Sequence, residues 1–205
     1  KGKVNNDYGR GFYCTEHIEL AKEWACTENK DGYANKYEIE TDGLSILNLS
    51  SDEYTILHWL AMLMYNRKGR LSTPIAKTGR EYLIEHFLPD FKDYDAVIGY
   101  RADDSYFSFA RSFVMNAISL KQLGNAMRLG KLGEQFVLKS EKAFNAIRFV
   151  DYTVAENSVY YAKRKARDDE ARDIRKAVPP DRERADGEQD RVEGLIQFVQ
   201  HGFSH

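Results

Sequence analysis

Residues 7–25, DYGRGFYCTEHIELAKEWA, constrain this chain more tightly than any other segment. Two glycines, Gly9 and Gly11, bracket Arg10, and such a pair lets a backbone turn sharply and approach a ligand closely. Gly11–Thr15 reads as a short strand, and Glu16–Thr27 as an amphipathic helix capped by Thr15, with Ile18, Ala21, Trp24 and Ala25 on one face. Tyr13 opens the strand, and Trp24 stands eleven residues later, three turns into the helix. A helix packed beside the strand would set two aromatic faces around a flat heterocycle. Burial of both rings in a core is the competing reading, and from the residues alone it is the commoner one.

The rest of the chain mixes strands and helices without regular alternation, which favours an α+β fold over a doubly wound sheet. NKYEIETDG alternates like a half-buried strand ending in a turn, and LSILNL follows as a second short strand. The segment from Ser51, SDEYTILHWLAMLMYNRK, reads as the central helix, with a serine cap and an acidic first turn. KTGREYLIEHFL reads as a helix and YDAVIGY as a buried strand. SFARSFVMNAISLKQLGNAMRLG reads as two helical pieces broken near Ser119. EQFVLKS and NAIRFVDYTV are strands separated by the polar turn SEKAF. SVYYAKRKARDDEARDIRKA is a helix laced with opposite charges. VPPDRERADGEQD combines prolines with dense charge and reads as a linker over 178–190, before a short apolar piece in 191–205. The organisation expected is one domain over 1–177, that linker and that terminal segment.

Thirty basic against 32 acidic residues leave a net charge of -2, no field that by itself draws nucleic acid or anionic lipid. No apolar run approaches the roughly 18–20 residues of a membrane span. The expectation is a soluble, cytoplasmic protein. Cys14 and Cys26 are too few for a disulfide framework, and no Cys or His cluster has metal spacing, so structural thiols and no metal are expected. Walker, dinucleotide-fingerprint, nucleophile-elbow and zincin motifs are all lacking.

YGRGFYCTEHIELAKEWA resembles the second signature of the His-Tyr-Glu class of ADP-ribosyltransferases, which includes diphtheria toxin and the poly(ADP-ribose) polymerases. In that class a Gly-Lys-Gly-Ile-Tyr-Phe run is followed, eleven residues after its tyrosine, by a second aromatic that closes over nicotinamide. Tyr13 and Trp24 take those two places. Arg10 stands where the class has lysine, and Ala21 where many members have a serine. EQFVLKSEKAFNAIRFV is similar to the third signature and puts Gln135 at the position of its glutamate, with Glu134 just before it. More narrowly, DYGRGFYCTEHIELAKEWA, YDAVIGYRADDSYF, EQFVLKSEKAF and YYAKRKARDDEAR together resemble the bacterial family DUF3990, assigned to the same superfamily.

The resemblance implies a split β-sandwich core with a helical insertion and a C-terminal helix, and NAD as co-substrate without a metal. It implies Tyr13, Gln135 and Glu134 as catalytic residues, and a nicotinamide site lined by Tyr13, Trp24, Gly11, Arg10, Phe12 and Ala21. The loop before the third signature, with Arg128 and Lys131, would present the acceptor. Asp103 and Asp104 after YDAVIGY are either a turn cap or a substrate contact. The class's first signature, a His-Gly strand, has no counterpart: His17, His58 and His86 lack its context, and HGFS at His201 is at the wrong end. The expectation is that this strand lies upstream of residue 1. LSTP at Leu71 and Glu134-Gln135-Phe136 do not complete the arginine-dependent branch's motifs.

Mono-ADP-ribosyl transfer to a macromolecule follows, to a protein rather than a nucleic acid, in the setting of a bacterial toxin held by a small antitoxin-like partner. A glutamine at 135 lacks the charge a carboxylate would bring, so the alternatives are a catalytically weak module that binds NAD or a protein, and an NAD glycohydrolase.

Overall fold

The computed structural model describes residues 3–177 except 68, 70, 103 and 130–132. The expected linker and terminal segment, together with His201, Asp103 and Lys131, lie outside the described residues. The fold is α+β, as its mixed element order predicts.

One sheet has four strands in the order β1 (Phe12–Cys14), β5 (Glu134–Leu138), β4 (Ala96–Tyr100), β3 (Ile46–Asn48). The β3–β4 pair is parallel and the others antiparallel. The second sheet is a two-stranded antiparallel ribbon of β2 (Gly32–Ile39) and β6 (Ile147–Ala155), with a bulge opposite Lys36 and Tyr37.

Strand alternation gives the four-stranded sheet two different faces. Tyr13, Val97, Val137 and Leu47 turn to the larger core, and Phe12, Ala96, Phe136 and Leu138 to a smaller cluster that includes Ile39 and Ile147 of the ribbon. Helix α2 (Ile56–Asn66) fills the larger core. Its Leu57 and every residue from Trp59 to Met64 are buried, as a helix apolar on all sides requires. Helices α3 (Pro74–Phe87), α4 (Asp104–Val114) and α5 (Leu120–Leu129) complete that core through Ala76, Leu83, Phe109, Phe113 and Leu123.

Helix α1 (Ile18–Ala25) packs on β2 and β6, and α7 (Asn157–Ala177) packs on α1 and α4. Two expectations shift in detail. The helix from Ser51 starts later, because Tyr54 N–H donates to Ser51 O at 3.1 Å in a turn and Thr55 is the cap. SEKAF is a short helix, α6 (Glu141–Asn145), because Ser140 Oγ accepts from Ala143 N at 3.1 Å and so starts a helical turn. The break near Ser119 holds: α4 ends at Val114, Asn116 takes a left-handed φ of 56°, and α5 begins at Leu120.

Candidate functional site

The carboxyl ends of β1 and β4 and the amino end of β5 lie at one edge of the four-stranded sheet, because β5 is antiparallel to both neighbours. The segment before β1 crosses to that edge. Gly9 turns it with φ +76°, a conformation that costs other residues strain, and Gly11 sits so close to β5 that a Cβ there would be 2.6 Å from Val137 Cγ1. The turn carries Asp7 and Tyr8 inward until both are buried.

Asp7 is the hub of that edge. Its Oδ1 accepts from Arg67 Nε at 2.7 Å, and its Oδ2 accepts from Ala102 N at 2.9 Å and Gln135 Nε2 at 3.0 Å. Arg67 follows α2, donates also to Ala102 O at 2.7 Å and lies over the Phe107 ring at 5.0 Å. Tyr8 hydroxyl and Trp59 Nε1 both donate to Tyr100 O, at 2.6 and 2.9 Å. A buried carboxylate needs such compensation, and here charge, side-chain amide and backbone amide together supply it.

Tyr13 is half-buried on the same face of the sheet as Gln135. Its hydroxyl donates to Gly9 O at 2.7 Å and accepts from Tyr8 N at 3.1 Å, so it closes the glycine turn. Burial raises its ionisation well above the ordinary tyrosine range. Trp24 rides on α1, whose neighbouring Leu20 and Glu23 are buried. The guanidinium of Arg101, the first residue after β4, stands 4.3 Å from the centre of its ring, a cation–π stack. Its indole Nε1 is buried and donates to no acceptor among the described residues. His17, the cap residue of α1, lies close enough to Gly133 that a Cβ there would be 2.8 Å from its Cδ2. Lys139, at the other end of β5, donates to Tyr8 O and stands 5.8 Å from the Phe91 ring, and burial lowers its pKa.

Residues 1–149 match the family described as Protein of unknown function (DUF3990). The chain belongs to the DUF3990 family. No curated protein matches it, and no solved structure does.

Within this DUF3990 chain the sequence-predicted residues divide by position. Tyr13 and Gln135 share a face on neighbouring strands, and Trp24 comes to the adjoining edge through Arg101. Gln135 is 4% exposed, whereas Glu134 is exposed and, by strand alternation, on the opposite face. Phe12 likewise turns away from Tyr13, into the smaller cluster, 5.4 Å from Tyr37 and 6.0 Å from Phe144 between ring centres. Arg10 is exposed, Gly11 sits under β5, and Ala21 lies half-buried one turn before Trp24 on α1. Asp104 is the first residue of α4, and Arg128 stands in the last turn of α5.

Asp7, Arg67 and Arg101 are the site residues that sequence reasoning missed. Asp7 heads the most informative stretch of the chain, yet its partners come from positions 67, 102 and 135, which no local pattern connects to it. Cys14 and Cys26 behave as structural thiols. Burial pushes Cys14 up to about 11, and Cys26 Sγ donates to Ala155 O at 3.3 Å. Among the described residues no helix is long and apolar enough to cross a membrane.

Proposed function

We propose that this chain transfers a single ADP-ribose from NAD to a macromolecular acceptor, most simply a protein. The observation that carries the reading is the convergence at one sheet edge: Tyr13 and Gln135 on one face, and Trp24, whose indole N–H has no acceptor among the described residues, beside the end of β4. Ring stacking on an indole that already accepts a flat cation suits the positively charged nicotinamide ring. In the reaction the bond from ribose C1 to the nicotinamide nitrogen breaks. Nicotinamide leaves with the electron pair, and a nucleophile of the acceptor takes its place after an oxocarbenium-like state, as in glycosidic cleavage. The two-sheet core with a long C-terminal helix supports an ADP-ribosyltransferase-like split sandwich, and a bacterial toxin with a small neutralising partner fits this activity.

A second reading rests on Gln135. Its amide donates to the buried Asp7 carboxylate, and Tyr13 hydroxyl is engaged by the Gly9 turn, so both polar ends already serve the fold. That arrangement favours a module that binds NAD without efficient turnover.

Incubation with NAD labelled in the adenylate part tests the readings. Label on a macromolecule supports transfer, free ADP-ribose supports hydrolysis, and binding without release of nicotinamide supports the second reading. Trp24→Ala is expected to remove nicotinamide release by at least tenfold, with Trp24→Phe retaining part of it because a stacking face is worth about 0.5–2 kcal/mol. Unchanged release in Trp24→Ala, with the fold intact by circular dichroism, overturns the assignment of the ring site.

A further inference from the structure

The ribbon of β2 and β6 carries the most exposed apolar surface of the described chain. Tyr33, Phe149 and Tyr152 are each more than half exposed, at 63%, 52% and 53%, and Val154 stands beside them at 49%. Their order follows from the register. Tyr33 pairs with Val154 and Asn35 with Tyr152, and beyond the bulge Tyr37 pairs with Phe149. Tyr33 and Tyr152 meet edge to face at 5.4 Å, and Tyr37 and Phe149 at 5.7 Å, so one face of the ribbon carries two aromatic pairs on either side of Asn35. The opposite face carries the pairs Lys36 with Asp151 and Glu38 with Arg148 at the same level.

Among the described residues β6 pairs only with β2, and its other edge has no partner strand. It is nine residues long and contains neither proline nor lysine. Solitary edge strands are usually short or blunted by proline, charge or a bulge; β6 is long, and its bulge and its charges, Arg148 and Asp151, can serve a reciprocal pairing as well as block a foreign one, while a two-stranded ribbon is marginal alone.

We propose that two copies of this chain join through the free edge of β6, antiparallel, about a twofold axis between Phe149 and Val150. The argument for a second copy is charge complementarity. In this register Arg148 faces Asp151 of the second copy, and Asp151 faces its Arg148. Ile147 falls opposite Tyr152, and Phe149 opposite Val150. In a regular strand positions 148 and 151 lie on opposite faces, and reciprocal pairing between them would be impossible. The extra residue at the bulge, Val150, places both on the polar face, which makes the pairing self-consistent. Moving the axis onto Asp151 would set carboxylate against carboxylate, which like charges disfavour. Arg148 is well exposed and also pairs with Glu38 in its own chain, so the intact pairs add little affinity by themselves, whereas like charges at both crossings would oppose the pairing. The joined ribbons make one four-stranded sheet with a single aromatic face.

Sedimentation equilibrium of the full chain tests this. The wild-type chain is expected to show twice the chain mass. Arg148→Glu alone and Asp151→Arg alone each place like charges at both crossings and are expected to be monomeric. Mixed in equal amounts they restore opposite charges at both crossings, and the doubled mass should return. Val150→Lys, which sets an ammonium at the centre of the seam without touching the Glu38 pair, is the second variant and is expected to be monomeric with an unchanged circular dichroism spectrum. A monomeric wild-type chain overturns the proposal, whether an upstream segment or another protein then covers β6. So does a dimer that survives Val150→Lys, or a mixture of the two charge variants that stays monomeric.

Discussion

Asp7 shows how much a single side chain decides at the candidate site. It holds Arg67, the amide of Ala102 and the side chain of Gln135, and its own side chain is 6% exposed while that of Arg67 is 18% exposed. Removing one member of a buried pair leaves an uncompensated charge. Asp7→Ala is therefore expected to lose about 3–5 kcal/mol of stability in urea denaturation. Gln135→Glu should also lower the urea midpoint, since it replaces a donor to Asp7 with a second carboxylate within hydrogen-bond distance. On the sequence alone, a glutamate at 135 only adds useful charge; the tertiary contact with Asp7 gives it a structural cost. The strand that carries Tyr13 and the helix that carries Trp24 were legible from local periodicity and the glycines before them. The Asp7 network was not, because its members lie about 60 to 128 positions apart and no helical or strand period links them.

At the scale of elements, the pattern of apolar residues located nearly every helix and strand, and apart from α6, expected as a turn, errors fell at the ends. The start of α2 is the instructive one. Thr55 caps it, and His58 Nδ1 accepts from Thr55 N at 3.0 Å, closing a capping box. The His58 ring also stands 5.3 Å from Tyr54 and 5.6 Å from Phe87. Burial lowers its pKa below the ordinary value of 6.5, and a proton on Nδ1 would break the cap. The unfolded chain thus binds this proton more readily than the folded one. Its contribution to stability is full above pH 6.5 and is lost as the pH falls through the lowered folded value. Melting temperatures across this range are expected to fall less in His58→Gln, which keeps a capping acceptor without a titrating group; an equal fall in both proteins would exclude His58 as the cause. Ser51 and its acidic followers resemble a cap in sequence as well as Thr55 does; in the fold Ser51 closes a turn with Tyr54, and Thr55 with His58 forms the cap.

For the whole molecule, α7 is attached to α1 by polar contacts. Lys163 pairs with Glu19 at 2.9 Å, Arg167 with Glu23 at 2.8 Å, and Arg164 donates to Cys26 O at 3.2 Å. Of these acidic partners Glu23 is buried and Glu19 exposed, so part of the attachment is screened by salt. Hydrogen exchange is expected to open α7 well before the buried stretch of α2, Trp59 to Met64, with the gap widening as salt is raised. Equal protection of the two helices at high salt would contradict this order. Because α1 carries Trp24, the attachment of α7 also backs the candidate site.

The sequence by itself determined the α+β class, the order of nearly every element, and that Tyr13 lies on a strand and Trp24 on the helix after it. Those depend on local periodicity and on glycines at a turn, both of which are written in neighbouring residues. The tertiary structure decided what Gln135 touches, which face Phe12 and Glu134 take, and that β6 has β2 as its one partner strand among the described residues. Each of these depends on strand register and on chain segments far apart in sequence, and burial of a charge such as Asp7 is defined only once those segments have come together.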